Sequence, residues 1–457
     1  MTKLAEISLI LGLALAVLAF GGAETISFSI VELLLFGAAA WFLATSGRSA
    51  FPFSKKTVLV PAALAGIVLL QLCPLPSSFL RRFASREIPE TNIRAGYLSF
   101  EPYATRTHFL ILLACFIAFY FAQMISQDRR RQQFFIGVLI ALGTFEAFYG
   151  LVQYLSGWQQ IFAYVKKFDL EEATGTYINR NHYAGFLEMI LPFSLAFAFY
   201  EYAKLRGDRG SKVNLGRLMA KSGVQKLFLF LAVSVVLCAA LIFSRSRMGI
   251  LAALSSILII FALVAISRFH GRMGSLLAVA FIVLSICLAV WIGPGPIVSR
   301  FQTMNEEYSL GGQSRLSMWR DVLPLIKDHP LLGTGFGTFP IAYTGGQTAF
   351  LGQFVNHAHN DYLEIASDLG VPAALILFGS ILFILARAIR SFLFGERDFD
   401  RIVALGCAGS IVAILLHSFA DFNLYIPANG LLFSAILGLA VSLRNPSAHA
   451  RSAQIAA

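Results

Sequence analysis

Near-continuous apolar runs of about 18 to 22 residues recur along the whole chain, the length needed to cross the hydrocarbon layer of a bilayer. They predict membrane-spanning helices at 4–20, 27–45, 58–74, 108–126, 134–155, 183–200, 227–243, 249–267, 275–293, 361–386, 402–419 and 428–443. No internal repeat, low-complexity tract or Pro/Ser-rich linker separates these runs. The chain therefore reads as one integral domain over 1–457, an all-α polytopic membrane protein of about twelve transmembrane helices. Lys3 followed by an apolar stretch ending at Gly21-Gly22-Ala23 resembles a secretory signal. Another span follows at once, however, and the flanks lack a small-x-small cleavage pattern, so the first run is read as a retained helix.

Composition agrees with the pattern. Of 457 residues, 57% are hydrophobic and 13% charged, against roughly 25% charged in a soluble domain. A soluble enzyme is excluded. The net charge of +11 is unevenly distributed. The loops holding Lys3, Arg48 to Lys56, Arg129 to Arg131, Lys204 to Lys226, Arg387 to Arg401 and Arg444 are all basic. Those on the alternate side dilute their arginines over long stretches with Glu87, Glu90, Glu101, Asp169, Glu171 and Glu172. By the positive-inside rule both termini are cytoplasmic, and the segments 75–107, 156–182 and 294–360 lie on the outer, periplasmic face of an inner membrane. The charge is a topology signal and asks for no nucleic-acid partner. The five cysteines, Cys73, Cys115, Cys238, Cys287 and Cys407, sit in or at apolar runs and read as small core residues rather than a disulfide framework or a metal site.

The large loop 294–360, between the ninth and tenth spans, is the expected working part, because a long patterned loop is usually functional. Within it Leu316, Trp319, Leu323 and Ile326 recur at helical spacing and stop before Pro330, predicting an amphipathic helix. Just after it, Val355-Asn-His-Ala-His-Asn-Asp-Tyr-Leu-Glu364 puts two imidazoles, His357 and His359, at the start of a helix. A helix N-terminus disfavours protonation and so keeps a histidine able to accept a proton. The same residues also fit a plain capping cluster in which Asn360 or Asp361 closes the helix.

Arginines on the outer face are the second candidate group. Arg245 and Arg247 fall in a tight link between two spans, and Arg315 and Arg320 open the amphipathic helix. Guanidinium groups stay charged and grip phosphate oxygens in a fork; snorkelling to lipid headgroups is the alternative. A third segment, Thr174 to Glu188, places Asn179, Arg180, Asn181 and His182 at the mouth of the sixth span and Glu188 within it. Ionisable groups inside spans are costly and mark function by default, which also singles out Glu32, Glu146, Glu364 and Asp368. His417 and Asp421 occupy the outer end of the eleventh span and can line the same cavity. Gly333-Thr-Gly-Phe-Gly337 lacks the spacing and preceding strand of a nucleotide loop and reads as a turn. No third nitrogen or sulfur ligand lies near the histidine pair, so no metal and no cofactor is expected.

In these segments the chain resembles the O-antigen ligase/O-antigen polymerase (Wzy-like) superfamily of envelope glycosyltransferases. The residues that carry the likeness are Asn179-Arg-Asn-His-Tyr-Ala-Gly185, Ser244-Arg-Ser-Arg-Met-Gly249, Arg315 with Trp319, Asp328-His-Pro-Leu-Leu-Gly-Thr-Gly335, His357 to Glu364, and Asp421-Phe-Asn-Leu-Tyr-Ile-Pro-Ala428. The resemblance implies a GT-C-like membrane protein. It would transfer a glycan from an undecaprenyl-pyrophosphate carrier to an acceptor hydroxyl, with inversion and without a metal. The acceptor would be a lipid-linked sugar, another repeat unit or, in protein O-oligosaccharyltransferases, a serine. A family histidine followed by ten residues and a glycine is matched by His359 and Gly370, which gives His359 the role of catalytic base with His357 as its understudy. The pyrophosphate-binding arginines map best onto Arg245 or Arg247 and onto Arg315, with Arg320 nearby. Asn179, Arg180, Asn181, Glu188, Asn360 and Asp421 are weaker candidates for substrate contact. A transporter or flippase of lipid-linked glycan is the alternative from another class, and it should show inverted repeats and broken helices near the middle of the bilayer.

Overall fold

The computed structural model describes residues 2–45, 55–76, 95–207, 222–267, 315–348 and 354–443. The predicted ninth span and the first part of the large loop lie outside these. The helices are α1 (Thr2–Leu18), α2 (Thr25–Thr45), α3 (Lys55–Gln71), α4 (Pro102–Ile125), α5 (Arg129–Ser156), α6 (Arg180–Gly207), α7 (Ser222–Phe243), α8 (Arg247–Ile266), α9 (Arg315–Asp328), α10 (Phe339–Thr344), α11 (Asp361–Leu369), α12 (Val371–Phe394), α13 (Asp398–His417) and α14 (Pro427–Ser442). Among them, eight are long and apolar enough to cross a membrane: α2, α4, α5, α6, α7, α8, α12 and α13. α1, α3 and α14 fill the other predicted spans at shorter length. The only strands among the described residues are two tiny hairpins, Leu75–Pro76 with Ala95–Gly96 and Gln160–Ile161 with Tyr164–Val165. The chain is an all-α polytopic membrane protein, as its apolar pattern predicts.

The bundle is organised around α6 and α13, whose apolar windows are 94% and 78% buried while the other spans keep a lipid-sized exposed face. Small residues explain why these two can approach so closely. Gly406 and Gly409 of α13 sit against Phe193 and Pro192 of α6. Ser410 Oγ donates across the interface to the Met189 carbonyl. A second close pair joins α14 to α4, where Gly438 lies on the Phe119 carbonyl and Ala122.

One expectation is corrected. The predicted tenth span, 361–386, is two helices. Gly370 breaks it with φ +86°, and a side chain there would strike the Leu331 backbone. α11 is therefore a nine-residue helix outside the spans, and the crossing helix begins at Val371. α9 lies where the sequence predicts an amphipathic helix. Met318 and Val322 are buried with Phe339, Tyr343 and Ala358, and Ile326 packs against them. Leu323 is 56% exposed.

Loops at one end of the bundle are stitched together. Ala428 N–H donates to Gly21 O, Ala173 N–H to Phe243 O, Phe100 N–H to Thr334 O and Asp361 N–H to Ser418 O. Glu146, singled out as an intramembrane acid, accepts from the backbone and hydroxyl of Thr176 and so pins the 156–179 loop onto α5. The Gly333 to Gly337 segment is indeed a turn. Gly337 N–H donates to Asp368, and a side chain there would enter the His108 ring.

If the α6–α13 contact organises the bundle, Gly409→Leu overpacks it and costs about 1–3 kcal/mol. The expected result is a clearly lower unfolding temperature in detergent, whereas Gly379→Leu, which faces open space, leaves it unchanged. Equal melting of the two variants would contradict this packing.

Candidate functional site

The turn between α13 and α14 shows how the site is built. The carbonyls of residues 418–421, which follow the last residue of α13, each accept from the histidine segment or from α9. Ser418 O and Asp421 O accept from Asp361 N–H. Phe419 O accepts from Asn360 Nδ2, and Ala420 O from Arg315 Nη1. Asn360 also caps α11 through its Oδ1, which accepts from the Tyr362 and Leu363 N–H groups. Both ends of its amide are thereby committed to structure. Trp319 Nε1 donates to Ala358 O, 3.0 Å away, tying α9 to the stretch between the two histidines. His359 itself is left-handed, with φ +48°, a conformation costly for a residue with a side chain and sustained here by its neighbours on both sides.

These ties bring together histidines that lie far apart in the sequence. Asp421 is 1% exposed. Its Oδ1 faces His359 Nδ1 at 3.7 Å and His182 Nε2 at 3.8 Å, and its Oδ2 faces His417 Nε2 at 3.9 Å. Phe422 lies beside the hub, stacked on His357 with ring centroids 3.9 Å apart and edge-on to His182 and His359. Burial alone would raise the Asp421 pKa, but the surrounding imidazoles outweigh it and hold this carboxylate well below its usual range. Behind the hub, His417 Nδ1 stands 3.0 and 3.1 Å from the two Glu188 oxygens, entirely buried.

His357 has a different partner. Its Nδ1 is 2.6 Å from Glu364 Oε1, and Glu364 Oε2 accepts from Ala358 N–H. Burial disfavours charge on both groups, pushing Glu364 up to about 8 and His357 down to about 4. Near neutrality the pair is uncharged, with the Glu364 acid donating to Nδ1. His357 then carries its own proton on Nε2 and is a donor. His359 turns Nδ1 toward ionised Asp421, which favours the proton there and leaves Nε2 as an acceptor.

The hub opens into a cavity of about 650 Å³ lined by His357, His359, His182, Arg315, Asn179 and Phe422, among others. Beside it an apolar cleft of about 420 Å³ runs between α3, α4, α12 and α14. His108 and Tyr425 line both.

Residues 232–378 match the family model described as O-antigen ligase. The matched stretch runs from α7 into α12 and takes in Arg245, Arg247, Arg315, Arg320, His357, His359 and Asn360, less than half of the chain. It supports the resemblance drawn from the motifs and, in general terms, a membrane glycosyltransferase of the O-antigen ligase or polymerase type. No curated protein matches the chain.

The arginines expected from that resemblance are not gathered at one point. Arg315 lines the cavity. Arg245 pairs with Glu171 at 3.1 Å, Arg180 with Asp169 and Glu172, and Arg320 is exposed on α9. Arg247 opens α8 behind the Ser246 cap and does not line the cavity. Asn179 lines it while accepting from Asn181 N–H, whereas Asn181 and Glu188 are not in its wall. Glu32 stands half-buried on α2, and Asp368 accepts from Gly337 and Tyr425, so neither reaches this cavity. Among the described residues no three His, Cys, Asp or Glu side chains are arranged to hold a metal ion. Sequence reasoning missed Phe422, Tyr425 and His108. His108, near the start of an apolar span, carries the same intramembrane signal that found Glu188; the two aromatics had only their place in a short motif.

The His357–Glu364 pair predicts a pH effect with a defined sign. From about pH 6.5 to 8 folded Glu364 keeps a proton that the unfolded chain has released, so its contribution to stability falls as pH rises, by at most about 1.4 kcal/mol per unit. Glu364→Gln keeps a neutral donor for Nδ1 and should flatten that fall in the unfolding temperature. A variant as steep as the parent would place the proton elsewhere.

Proposed function

We propose that the protein transfers a glycan from an undecaprenyl-pyrophosphate carrier to an acceptor hydroxyl at the periplasmic face of the inner membrane, as an O-antigen ligase or surface polysaccharide polymerase. The observation that carries this reading is the junction of the two cavities. A polar chamber with an imidazole acceptor and a guanidinium meets an apolar intramembrane cleft at His108 and Tyr425. Such a pair of spaces suits a donor with a diphosphate-linked sugar at one end and an isoprenoid chain at the other. The positive-inside bias puts the same end of the bundle outside the cytoplasm, with both termini inside. Nucleotide sugars are absent there and lipid-linked donors are not.

In this reading His359 Nε2 takes the proton of the acceptor hydroxyl as its oxygen attacks the anomeric carbon. The bond from that carbon to the diphosphate oxygen breaks on the opposite side, its electron pair staying on the diphosphate, and the configuration inverts. The leaving group is a stable anion that needs charge compensation more than a proton, and Arg315 supplies it. His357, with hydrogen on Nε2, donates to the substrate. Arg245 and Arg247 act on the approach of the headgroup, at the neighbouring turn. A metal-independent step follows from fixed guanidinium groups doing this work.

The expected outcomes are specific. His359→Ala lowers glycan transfer by about 10²- to 10⁴-fold with normal insertion and folding, and His357→Ala has a smaller effect. The reverse order would make His357 the base. Arg315→Lys impairs transfer because a point charge cannot replace the fork, while chelation with EDTA leaves the rate unchanged. Loss of activity in EDTA with recovery on adding a divalent metal would overturn the metal-free step.

A further inference from the structure

Glu188 and His417 lie behind the cavity wall and touch no substrate in the reading above, yet they are an ion-pair candidate with no exposure at all. Both Glu188 oxygens are equally close to His417 Nδ1, at 3.0 and 3.1 Å, the arrangement of an ionised carboxylate receiving one N–H. The opposite nitrogen, Nε2, faces Asp421 Oδ2 at 3.9 Å. Both of these atoms are buried without a hydrogen-bond partner. Were Nε2 bare, a lone pair would confront a carboxylate oxygen in a site shut off from water, and two acceptors would stand unsatisfied. A proton on Nε2 turns that confrontation into attraction.

We propose that His417 is a buried imidazolium clamped between Glu188 and Asp421, and that this cation keeps Asp421 ionised so that Asp421 holds His359 in the tautomer needed for catalysis. The proposal rests on the reading of His359 as the base. Glu188 and His417 are positioning residues; neither reaches the reacting atoms. The ionisable groups facing the clamp are Glu188 and His182 from α6, Asp361 from α11, and Asp421 with His359 beyond it. Asp361 accepts from Ser418 Oγ and Leu424 N–H and is satisfied by those neutral donors. Asp421 has one backbone donor, Phe422 N–H, and otherwise depends on the imidazoles. The close approach of α6 and α13, the two most enclosed of the candidate spans, is what brings Glu188 onto His417 from opposite sides of one interface.

The test uses nitrogen-15 histidine spectra of the full chain in lipid nanodiscs, together with transfer kinetics. At about pH 8, above the ordinary histidine range, one of the eight histidines is expected to keep both ring nitrogens protonated. That signal is expected to vanish in His417→Gln and to titrate at lower pH in Glu188→Gln. If every histidine of the wild-type protein is neutral at that pH, the imidazolium is wrong whatever the variants do. In kinetics Glu188→Gln should lower kcat by about a hundredfold with the donor KM little changed, and Glu188→Asp should recover part of it. A Glu188→Gln enzyme with wild-type kcat would remove the positioning role. Failure of the glycan-transfer reading itself would look different: no transfer by the wild-type protein, with the doubly protonated histidine still present.

Discussion

A carboxylate at the edge of a bilayer stays ionised only if cations or strong donors are packed against it, because burial without them costs several kcal/mol. This end of the bundle holds Glu188, Asp361, Glu364, Asp368 and Asp421, each no more than 1% exposed. The three acids of α11 meet the constraint by accepting from neutral groups: a serine and a backbone amide at Asp361, an amide beside the His357 ring at Glu364, and an amide with a tyrosine at Asp368. Burial raises the pKa of all three. Asp421 is the exception, and the difference lies in its surroundings: three imidazole nitrogens face its two oxygens. Among these acids Asp421 is the one that faces the candidate base, and the imidazoles around it hold it ionised.

That arrangement depends on the order of the chain. Asp421 is placed by the turn that follows α13, and the turn is held because its carbonyls are taken by Asn360, Asp361 and Arg315. The histidine segment and the turn therefore hold each other in place. The left-handed backbone of His359 fits the same account, since strain persists where neighbours on both sides over-determine a conformation. Arg315 has two jobs in this arrangement. One nitrogen ties down the turn, and the guanidinium as a whole is the cation in the chamber wall.

Most of the fold could be read from the sequence because each span only had to announce its length and apolarity. The breaks were harder. Gly370 and Pro372 together signal a helix boundary that the apolar run masked, and the Leu331 backbone pressed against Gly370 shows why one span became α11 and α12. On α9 the spacing marked a helix, and contact with Phe339 and Tyr343 selected Val322 over its apolar neighbour Leu323 for burial. In the site, ionisable residues stood out against an apolar background, which is how Glu188, His357, His359, His417 and Asp421 were found. Their pairing was not legible. Nothing in the spacing of His357 and His359 says that one meets Glu364 and the other Asp421, for that follows from the strained backbone between them. Phe422 and Tyr425 passed unnoticed because aromatic residues are ordinary in a membrane chain.

The aromatics have consequences for how the two histidines divide their work on the proposed reading. Phe422 is stacked flat on His357 but meets His359 and His182 edge-on. A flat stack withdraws one face of the His357 ring from water and so adds to the burial that keeps it neutral. An edge-on contact leaves the His359 ring more open, and its side chain is 34% exposed against 24% for His357. Two imidazoles two residues apart are thereby made chemically unlike. One is more buried, bonded to a neutral acid and placed as a donor, and the other is more open and turned toward an anion. Different carboxyl partners set the two roles and the phenyl ring reinforces them, separating an acceptor of protons from a donor of hydrogen bonds, as a reaction with one attacking hydroxyl and one departing diphosphate requires.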